Sequence, residues 1–398
     1  MIQMEKTRVK KFLKQIRGVS YKPEDLHNKL DDNSVILLRA NNIDNGKINF
    51  DDVVYVDKGK VSDEQYLKVG DILICASSGS KNLVGKAASV TFKKKCTFGA
   101  FCKVVRPNIG NEKYLGVFFQ SPTYRRRISE VAIGANINNI RNEHIDDLEI
   151  PVYSSDEQAN IVEKIYLIQK IIAKRKEELS ALDNLIKARF VEMFGNPAVN
   201  EKNWEIKDLE SVTTIVTYGL TVRPEYIDKG IDLVSAREIH KGYVAYDEAP
   251  KISEEDFAKL SEKGKPQKFD ILFSKTGSIG HCALVEDDRS FAITQNAARI
   301  GLKLDLINPI WLLYYLRMDF IQDWCKGHAK GNAVKDFQLQ DMKIIPLFDC
   351  PMELQKQFAT FVHQVHKSKL PGSILHSYIK DKLHKRGATT WKPISITC

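Results

Sequence analysis

The sequence contains no apolar run approaching the length of a bilayer span, which argues against a membrane-spanning helix. Its opening residues, Met1-Ile2-Gln3-Met4-Glu5-Lys6, lack the apolar core of a secretory signal. Only seven cysteines occur, scattered at 75, 96, 102, 282, 325, 350 and 398, and none forms a Cys-x-x-Cys pair. That spacing argues against a disulfide scaffold and a zinc ribbon, so reduced thiols and a cytoplasmic setting are expected. There is no Gly-x-x-x-x-Gly-Lys-Ser/Thr phosphate loop, which argues against an ATP motor. His363 and His366 lie one helical turn apart with no carboxylate or thiol set beside them, and no metal site is assigned. Ser77-Ser78-Gly79-Ser80 lacks the Gly-x-Ser-x-Gly frame of a nucleophile elbow and reads as a turn.

What is present is a chain of 398 residues, 43% hydrophobic and 28% charged, enough for two or three cores. Sixty Lys and Arg against 51 Asp and Glu give a net charge of +9, which favours a polyanionic partner. The dominant feature is an internal duplication. Gly18-Val19-Ser20-Tyr21-Lys22-Pro23-Glu24 returns as Gly219-Leu220-Thr221-Val222-Arg223-Pro224-Glu225. Leu37-Leu38-Arg39-Ala40 with Gly46 returns as Leu233-Val234-Ser235-Ala236 with Gly242. Asp71-Ile72-Leu73 returns as Asp270-Ile271-Leu272, Ile150-Pro151 as Ile345-Pro346, and Gln158 as Gln355. Five patterns in one order, at offsets that drift with loop length, define two copies of one module.

Each copy reads as a mixed α/β globule. Short β-rich runs come first: Ser34–Leu38, Val53–Val56, Ile72–Cys75 and Phe101–Val105, answered by Leu233–Val234, Ile271–Phe273, Ala283–Val285 and Ala298–Leu302. A helix follows, over Tyr114–Arg126 in one copy and Pro309–Trp324 in the other, then a strand ending in the repeated proline. From Asp156 to Phe194 there is neither proline nor glycine. Ile161, Ile165, Ile168, Ile172, Leu179, Leu182 and Ile186 follow alternating steps of four and three, interrupted at Arg175 and again at Arg189, a heptad seam that requires a partner helix. The matching segment after copy two, Met352–Lys369, sets Phe358, Phe361 and Val365 on one face, then meets Pro371-Gly372, where a break is expected. The predicted organisation is a first domain over 1–153, a helical spacer over 154–196, a second domain over 197–350, and a curtailed spacer with a basic tail over 351–398.

Tandem α/β modules, each followed by a long helix, resemble the specificity (S, or HsdS-type) subunits of type I restriction–modification systems. The resemblance runs from Gly18 to Lys369. It rests on the two Asp-Ile-Leu turns and on Gly134-Ala135-Asn136-Ile137-Asn138-Asn139-Ile140 through Ile150-Pro151. Arg189-Phe190-Val191-Glu192-Met193-Phe194-Gly195-Asn196-Pro197 is similar to the end of the family's first helical spacer. The resemblance implies two target-recognition domains, each reading one half of a split, asymmetric site in double-stranded DNA. It implies helices paired as an antiparallel coiled coil that sets the distance between half-sites. It also implies two modification subunits as partners, which carry S-adenosylmethionine and methylate adenine at N6, and a restriction translocase as a further one. The specificity subunit itself is not an enzyme and binds no cofactor. The residues agree: the nearest match to a methyltransferase Asn/Asp-Pro-Pro-aromatic motif, Asn196-Pro197-Ala198-Val199, lacks the second proline and the aromatic.

DNA binding needs cations and hydroxyls for phosphate and Arg, Asn, Gln or Lys for base edges. In copy one the candidates are Arg39, Asn41 and Asn42 after a strand, and Ser77, Ser78, Ser80, Lys81 and Lys86 in a glycine-containing loop. Tyr124, Arg125 and Arg126 end a helix, and Asn136, Asn138 and Asn139 follow Gly134. In copy two they are Arg223, Arg237 and His240, the loop Ser274, Lys275, Thr276 and Ser278, the amides Gln295 and Asn296, and Lys335. The aromatics Phe118, Phe119, Trp311, Tyr314 and Tyr315 are assigned to the core. Three other readings stand beside this one. A non-DNA structural dimeriser built on the long helix would be favoured by an absence of salt-sensitive DNA affinity. A stand-alone DNA-modifying enzyme would need a cofactor loop or metal centre that the sequence does not offer. A partial or inactive specificity subunit from a recombining locus would follow from the expected break in the second spacer.

Overall fold

The computed structural model describes residues 5–80, 82–108, 110, 112–131, 138–222, 224–332 and 334–386. Met1–Lys174 and Ile374–Cys398 fall in one compact unit and Arg175–Ser373 in a second, so that the globular part of each copy lies in its own unit.

In the first unit the strand Ile72–Cys75 is buried along its whole length. Alternate side chains of a strand point to opposite faces. Ile72 and Ile74 therefore enter one core, with Val105, Phe119 and Ile128, while Leu73 and Cys75 enter another, with Ile36, Phe98 and Val104. An unbroken apolar run is what a strand lying between two cores needs. It sits in an antiparallel sheet ordered Ala87–Ser89, Ile72–Cys75, Cys102–Pro107, Leu13–Arg17. A second sheet is ordered Cys96–Phe98, Ser34–Leu38, Val54–Asp57, Leu26–His27, and its first pair is parallel. The second unit repeats this plan. Ile271 and Phe273 enter one core and Leu272 the other, within a sheet ordered Thr213–Tyr218, Ala297–Leu302, Ile271–Ser274, Cys282–Leu284. Ile231–Val234 and Ala292–Ile293 form its parallel pair.

The repeated sequence patterns have repeated physical causes. The Asp of each Asp-Ile-Leu turn accepts from a backbone N–H three residues earlier, Lys68 N at 2.8 Å and Gln267 N at 2.7 Å. It also pairs with an arginine on the neighbouring strand. Arg106 grips Asp71 with Nε and Nη2, both at 2.8 Å, and Arg299 Nε meets Asp270 at 2.6 Å. Gly18 and Gly219 have one explanation. A Cβ there would lie 2.1 Å from the Gly99 carbonyl oxygen or 1.7 Å from that of Ile293, so only glycine lets the two backbones meet. Gln158 and Gln355 each donate to the carbonyl five residues before, at 3.0 and 2.9 Å.

Several details differ from the sequence expectation, among them strands that fall at Val54–Asp57 and Cys282–Leu284 rather than Val53–Val56 and Ala283–Val285. The single helix expected in each copy is two, Glu112–Phe118 with Pro122–Val131, and Pro309–Leu316 with Asp319–His328. Pro122 restarts the first pair, since a proline suits the first helical turn, where its missing N–H goes unused. The strand holding the second repeated proline, Pro346–Asp349, begins with it rather than ending on it. The second long helix does not stop at Pro371-Gly372 but runs through them, Met352–Arg386. A proline there removes the donor to the Lys367 carbonyl and crowds one turn, a local cost of about 3 kcal/mol that need not end a helix continuing on both sides. Finally, Phe101 is not the first residue of its strand, which begins at Cys102.

The first long helix spans Ser155–Phe194. It is opened by a reciprocal cap in which Glu157 accepts from Ser154 N at 2.9 Å and Ser154 Oγ from Glu157 N at 3.4 Å. Ile161 and Ile165 do not wait for a partner helix: they pack on the first copy's own core beside buried Val162. Ile168, Ile172 and Leu179 are half-buried. Within the second unit the helix meets the start of Met352–Arg386 in antiparallel sense. Phe190 and Phe194 lie 5.3 and 5.8 Å from Phe358, Arg189 sits 5.8 Å over Phe361, and Asp183 pairs with Lys369. Leu182, Ile186, Phe358, Phe361 and Val365 join one core with Trp311 and Tyr315.

Phe190 touches Phe194, Trp311, Tyr315 and Phe358. Phe190→Ala should therefore destabilise the second unit by about 3–5 kcal/mol. Trp204, Trp311 and Trp324 report on this unit, so the fluorescence midpoint in urea should fall; an unchanged midpoint contradicts the assignment.

Candidate nucleic-acid interface

Parallel strands finish at the same edge. In the first copy Ser34–Leu38 and Cys96–Phe98 do so, and Ile72–Cys75 ends beside them, with Cys75 opposite Cys102. The chain after each strand is stitched to its neighbours. Gly99 N donates to Leu38 O at 2.9 Å, and Ala76 N and Ser77 N donate to Phe101 O at 2.9 and 3.0 Å. Ser77 and Ser78 then pair with Asn139 and Asn138, and Ile140 N closes on Ala76 O at 2.8 Å. One edge thus carries Arg39, Asn41, Ser77, Ser78 and Asn139, with Ser80 exposed in the following turn and Lys86 where the loop returns to the sheet.

The second copy builds the same edge with the same backbone bonds. Thr294 N donates to Val234 O at 3.0 Å, Lys275 N to Asn296 O at 3.0 Å, and Phe337 N to Lys275 O at 2.7 Å. Thr276 bridges Asp336 as Ser77 pairs with Asn139. Arg237, His240, Thr276, Ser278, Gln295, Asn296 and Lys335 belong to the segments gathered here. The positions match while the side chains differ: Ser77 answers Thr276, Asn139 answers Asp336, and Lys86 answers His281.

Several sequence-picked residues do other work. Tyr124 is fully buried among Phe118 and Phe119 and offers nothing to a surface ligand. Asn42 is buried and accepts from Arg39 N at 2.8 Å; Glu238, its counterpart, accepts from Ser235 N at 2.8 Å. Both are turn caps. Arg125 holds the loop from behind, donating to Val84 O at 2.6 Å and Asn82 O at 3.0 Å, while Arg126 is exposed on the same helix. Ser274 is buried, donating to Ser278 O at 2.6 Å and accepting from His281 N at 2.8 Å. Lys275 is buried and ion-paired with Asp336, its ammonium 5.7 Å from the Tyr218 ring. Lys81, Asn136 and Arg223 lie outside the described residues, as does the side chain of Asn138.

Three residues of the edge were missed in the sequence. Asp52 accepts from Arg39 Nη2 at 2.9 Å and Asn41 Nδ2 at 2.7 Å, holding both pointed together. Asp336 gathers Lys275, Thr276 Oγ1 at 2.6 Å, and Gln338. Phe101 stands at the turn with 67% of its surface exposed. An acidic residue signals no affinity for a polyanion, and an aromatic beside a β-rich run signals core, so neither type drew notice. The six described cysteines are free and buried, and burial pushes the Cys96 thiol up to about 12, far from a reactive thiolate.

The family model of the type I restriction modification DNA specificity domain matches residues 5–181 and 201–374. The chain is 34% identical over 293 residues to the type I restriction enzyme EcoKI specificity subunit of Escherichia coli (strain K12), covering 68% of this chain and 62% of that protein. It is 40% identical over 173 residues to the type I restriction enzyme StySPI specificity subunit of Salmonella potsdam, covering 43% and 37%. The chain thus spans less than two thirds of the length of these curated relatives. The crystal structure of the S subunit of a type I restriction–modification system from M. genitalium superposes with a TM-score of 0.53 at 13% identity, over 98% of this chain and 97% of that one. At that identity the likeness is one of fold.

The Lys275–Asp336 pair has a measurable signature. Burial works to raise the Asp336 carboxyl, but the hydrogen bonds from Lys275 and Thr276 outweigh it and hold the group below its ordinary value. A carboxylate lowered in the folded state stabilises above its unfolded value of about 4 and loses that contribution as pH falls through the folded value. Asp336→Ala should cost about 1–3 kcal/mol at pH 7 by leaving Lys275 without its anion. In urea titrations the gap from the parent should narrow below about pH 4. An equal gap at pH 3 and 7 contradicts the assignment.

Proposed function

The chain belongs to the type I restriction modification DNA specificity family, and we propose that it is the sequence-reading subunit of a type I restriction–modification complex. Residues 1–153 and 197–350 act as two recognition domains on the halves of a split site in double-stranded DNA, and the spacers over 154–196 and 351–398, which contain the helices Ser155–Phe194 and Met352–Arg386, set the distance between them. The carrying observation is the edge built twice from one set of backbone bonds with unlike side chains. Two copies of one scaffold bearing different donors and acceptors suit two unlike half-sites, because base identity is read by the pattern of such groups.

Exposed cations on or beside these edges, Arg126, Arg237 and Lys335, with half-buried Lys86, supply phosphate contacts, which position the protein without reading sequence. The chain performs no chemistry. Two modification subunits carry S-adenosylmethionine and receive the adenine, flipped from the duplex, in their own pocket; restriction subunits join the same assembly. The second helix, continuous through Pro371, supports a working spacer over a broken one. Among the described residues no helix is long and apolar enough to cross a membrane, and no group of three His, Cys, Asp or Glu could hold a metal ion.

The test is expression of this chain with its neighbouring modification subunit in cells free of other methylation, followed by long-read mapping of N6-methyladenine. A new split motif that vanishes when this chain is omitted is the expected result. No motif, with both proteins soluble, contradicts the proposal. Binding of the purified complex to DNA should weaken steeply between 50 and 200 mM salt, by about 10³-fold if six phosphates are neutralised; salt-independent binding also contradicts it.

A further inference from the structure

The turn carrying Phe101 has an exact counterpart. Val19 N donates to Phe98 O and Leu220 N to Ile293 O, both at 2.8 Å, so Phe98 answers Ile293. Counting forward, Gly99, Ala100 and Phe101 answer Thr294, Gln295 and Asn296. Each turn is closed by one bond, Cys102 N to Gly99 O at 2.8 Å and Ala297 N to Thr294 O at 3.1 Å. Each third residue is then braced through its carbonyl, that of Phe101 by Ala76 N and Ser77 N, and that of Asn296 by Lys275 N. The backbone is fixed on both flanks and the side chain is left outside. Phe101 is 67% exposed, and Asn296 is exposed.

A phenyl ring left exposed in this way has no part in the hydrophobic clusters of its copy. Its neighbours across the turn, Ser77 and its strand partner Asn139, offer polar groups on the same edge. At the matching place the second copy offers a carboxamide. These are two chemistries for base edges in the major groove: an apolar side chain suits the 5-methyl of thymine, and a carboxamide suits the N6 and N7 of adenine.

We propose that this turn position determines specificity in both copies: Phe101 selects a thymine through its methyl group in one half-site, and Asn296 selects an adenine in the other. The inference rests on the DNA-reading function proposed above and adds to it which side chain reads which base. The experiment uses the complex of this chain with its modification subunit, comparing the parent with Phe101→Ala and Asn296→Ala. Both side chains are exposed, so both variants should melt with the parent.

In methylation maps Phe101→Ala should relax one position in one half of the motif, and Asn296→Ala one position in the other half, each losing about tenfold of base preference. Replacing the selected thymine by deoxyuridine, which removes only the methyl group, should weaken binding of the parent about three- to tenfold. The Phe101→Ala variant should bind both duplexes alike. Unchanged motifs in both variants, relaxation in both halves by one variant, or deoxyuridine sensitivity that survives Phe101→Ala overturns the inference while leaving the recognition function standing. A parent complex that yields no motif at all overturns both, and is distinguished by that.

Discussion

A strand buried on both faces stands at the centre of each copy and sets where the polar groups at its two ends are placed. Residues 72–75 and 271–273 feed apolar side chains alternately into two cores, so they leave no polar group along the strand for a ligand. Polarity is forced to the ends. At the start stands an aspartate paired with an arginine of the next strand, Asp71 with Arg106 and Asp270 with Arg299. Such a pair has strict geometry, and removing either partner would strand a buried charge, so it pins the register of the sheet. The arginines sit on the same strand in the two copies but two positions apart, which keeps them on one face of that strand. At the far end the chain leaves the sheet as a loop, and there the variable residues collect.

That division between a fixed scaffold and a variable edge is what duplication for recognition requires. Backbone bonds common to the two copies frame each loop: Ile140 N to Ala76 O and Phe337 N to Lys275 O are one bond made twice. The shared frame thereby accepts different side chains in the two copies. Where a copy does use a side chain, it does so for local reasons. Lys275 replaces Ala76, and its buried charge brings Asp336 in place of Asn139.

Much of this was legible in the chain itself. The duplication, the strand Ile72–Cys75, the aromatic core around Trp311 and Tyr315, and the long proline-free helix follow from patterns of two and three-and-a-half residues, which burial imposes on any sequence. The family resemblance was carried by the order of the repeats and not by a single motif. Individual site residues were less legible because a polar loop residue can face water, a ligand or its own backbone. Asn42 and Ser274 serve their own turns, and Tyr124 a core that its basic neighbours disguise. Phe101 was read as a strand residue because composition cannot show that its strand begins one residue later. Pro371 was read as a stop because the local penalty is visible in sequence and the continuing helix is not.

On the proposed function, one structural edge, present twice, meets the DNA. Amide hydrogen exchange of the complex, free and bound to a duplex bearing its own methylation motif, tests it directly. Slowed exchange is expected at two matched sets of segments, residues 77–80, 99–101 and 138–139 in one copy and 276–278, 294–296 and 330–336 in the other. Protection at only one copy, or at the opposite ends of the central strands around Asp71 and Asp270, would contradict it.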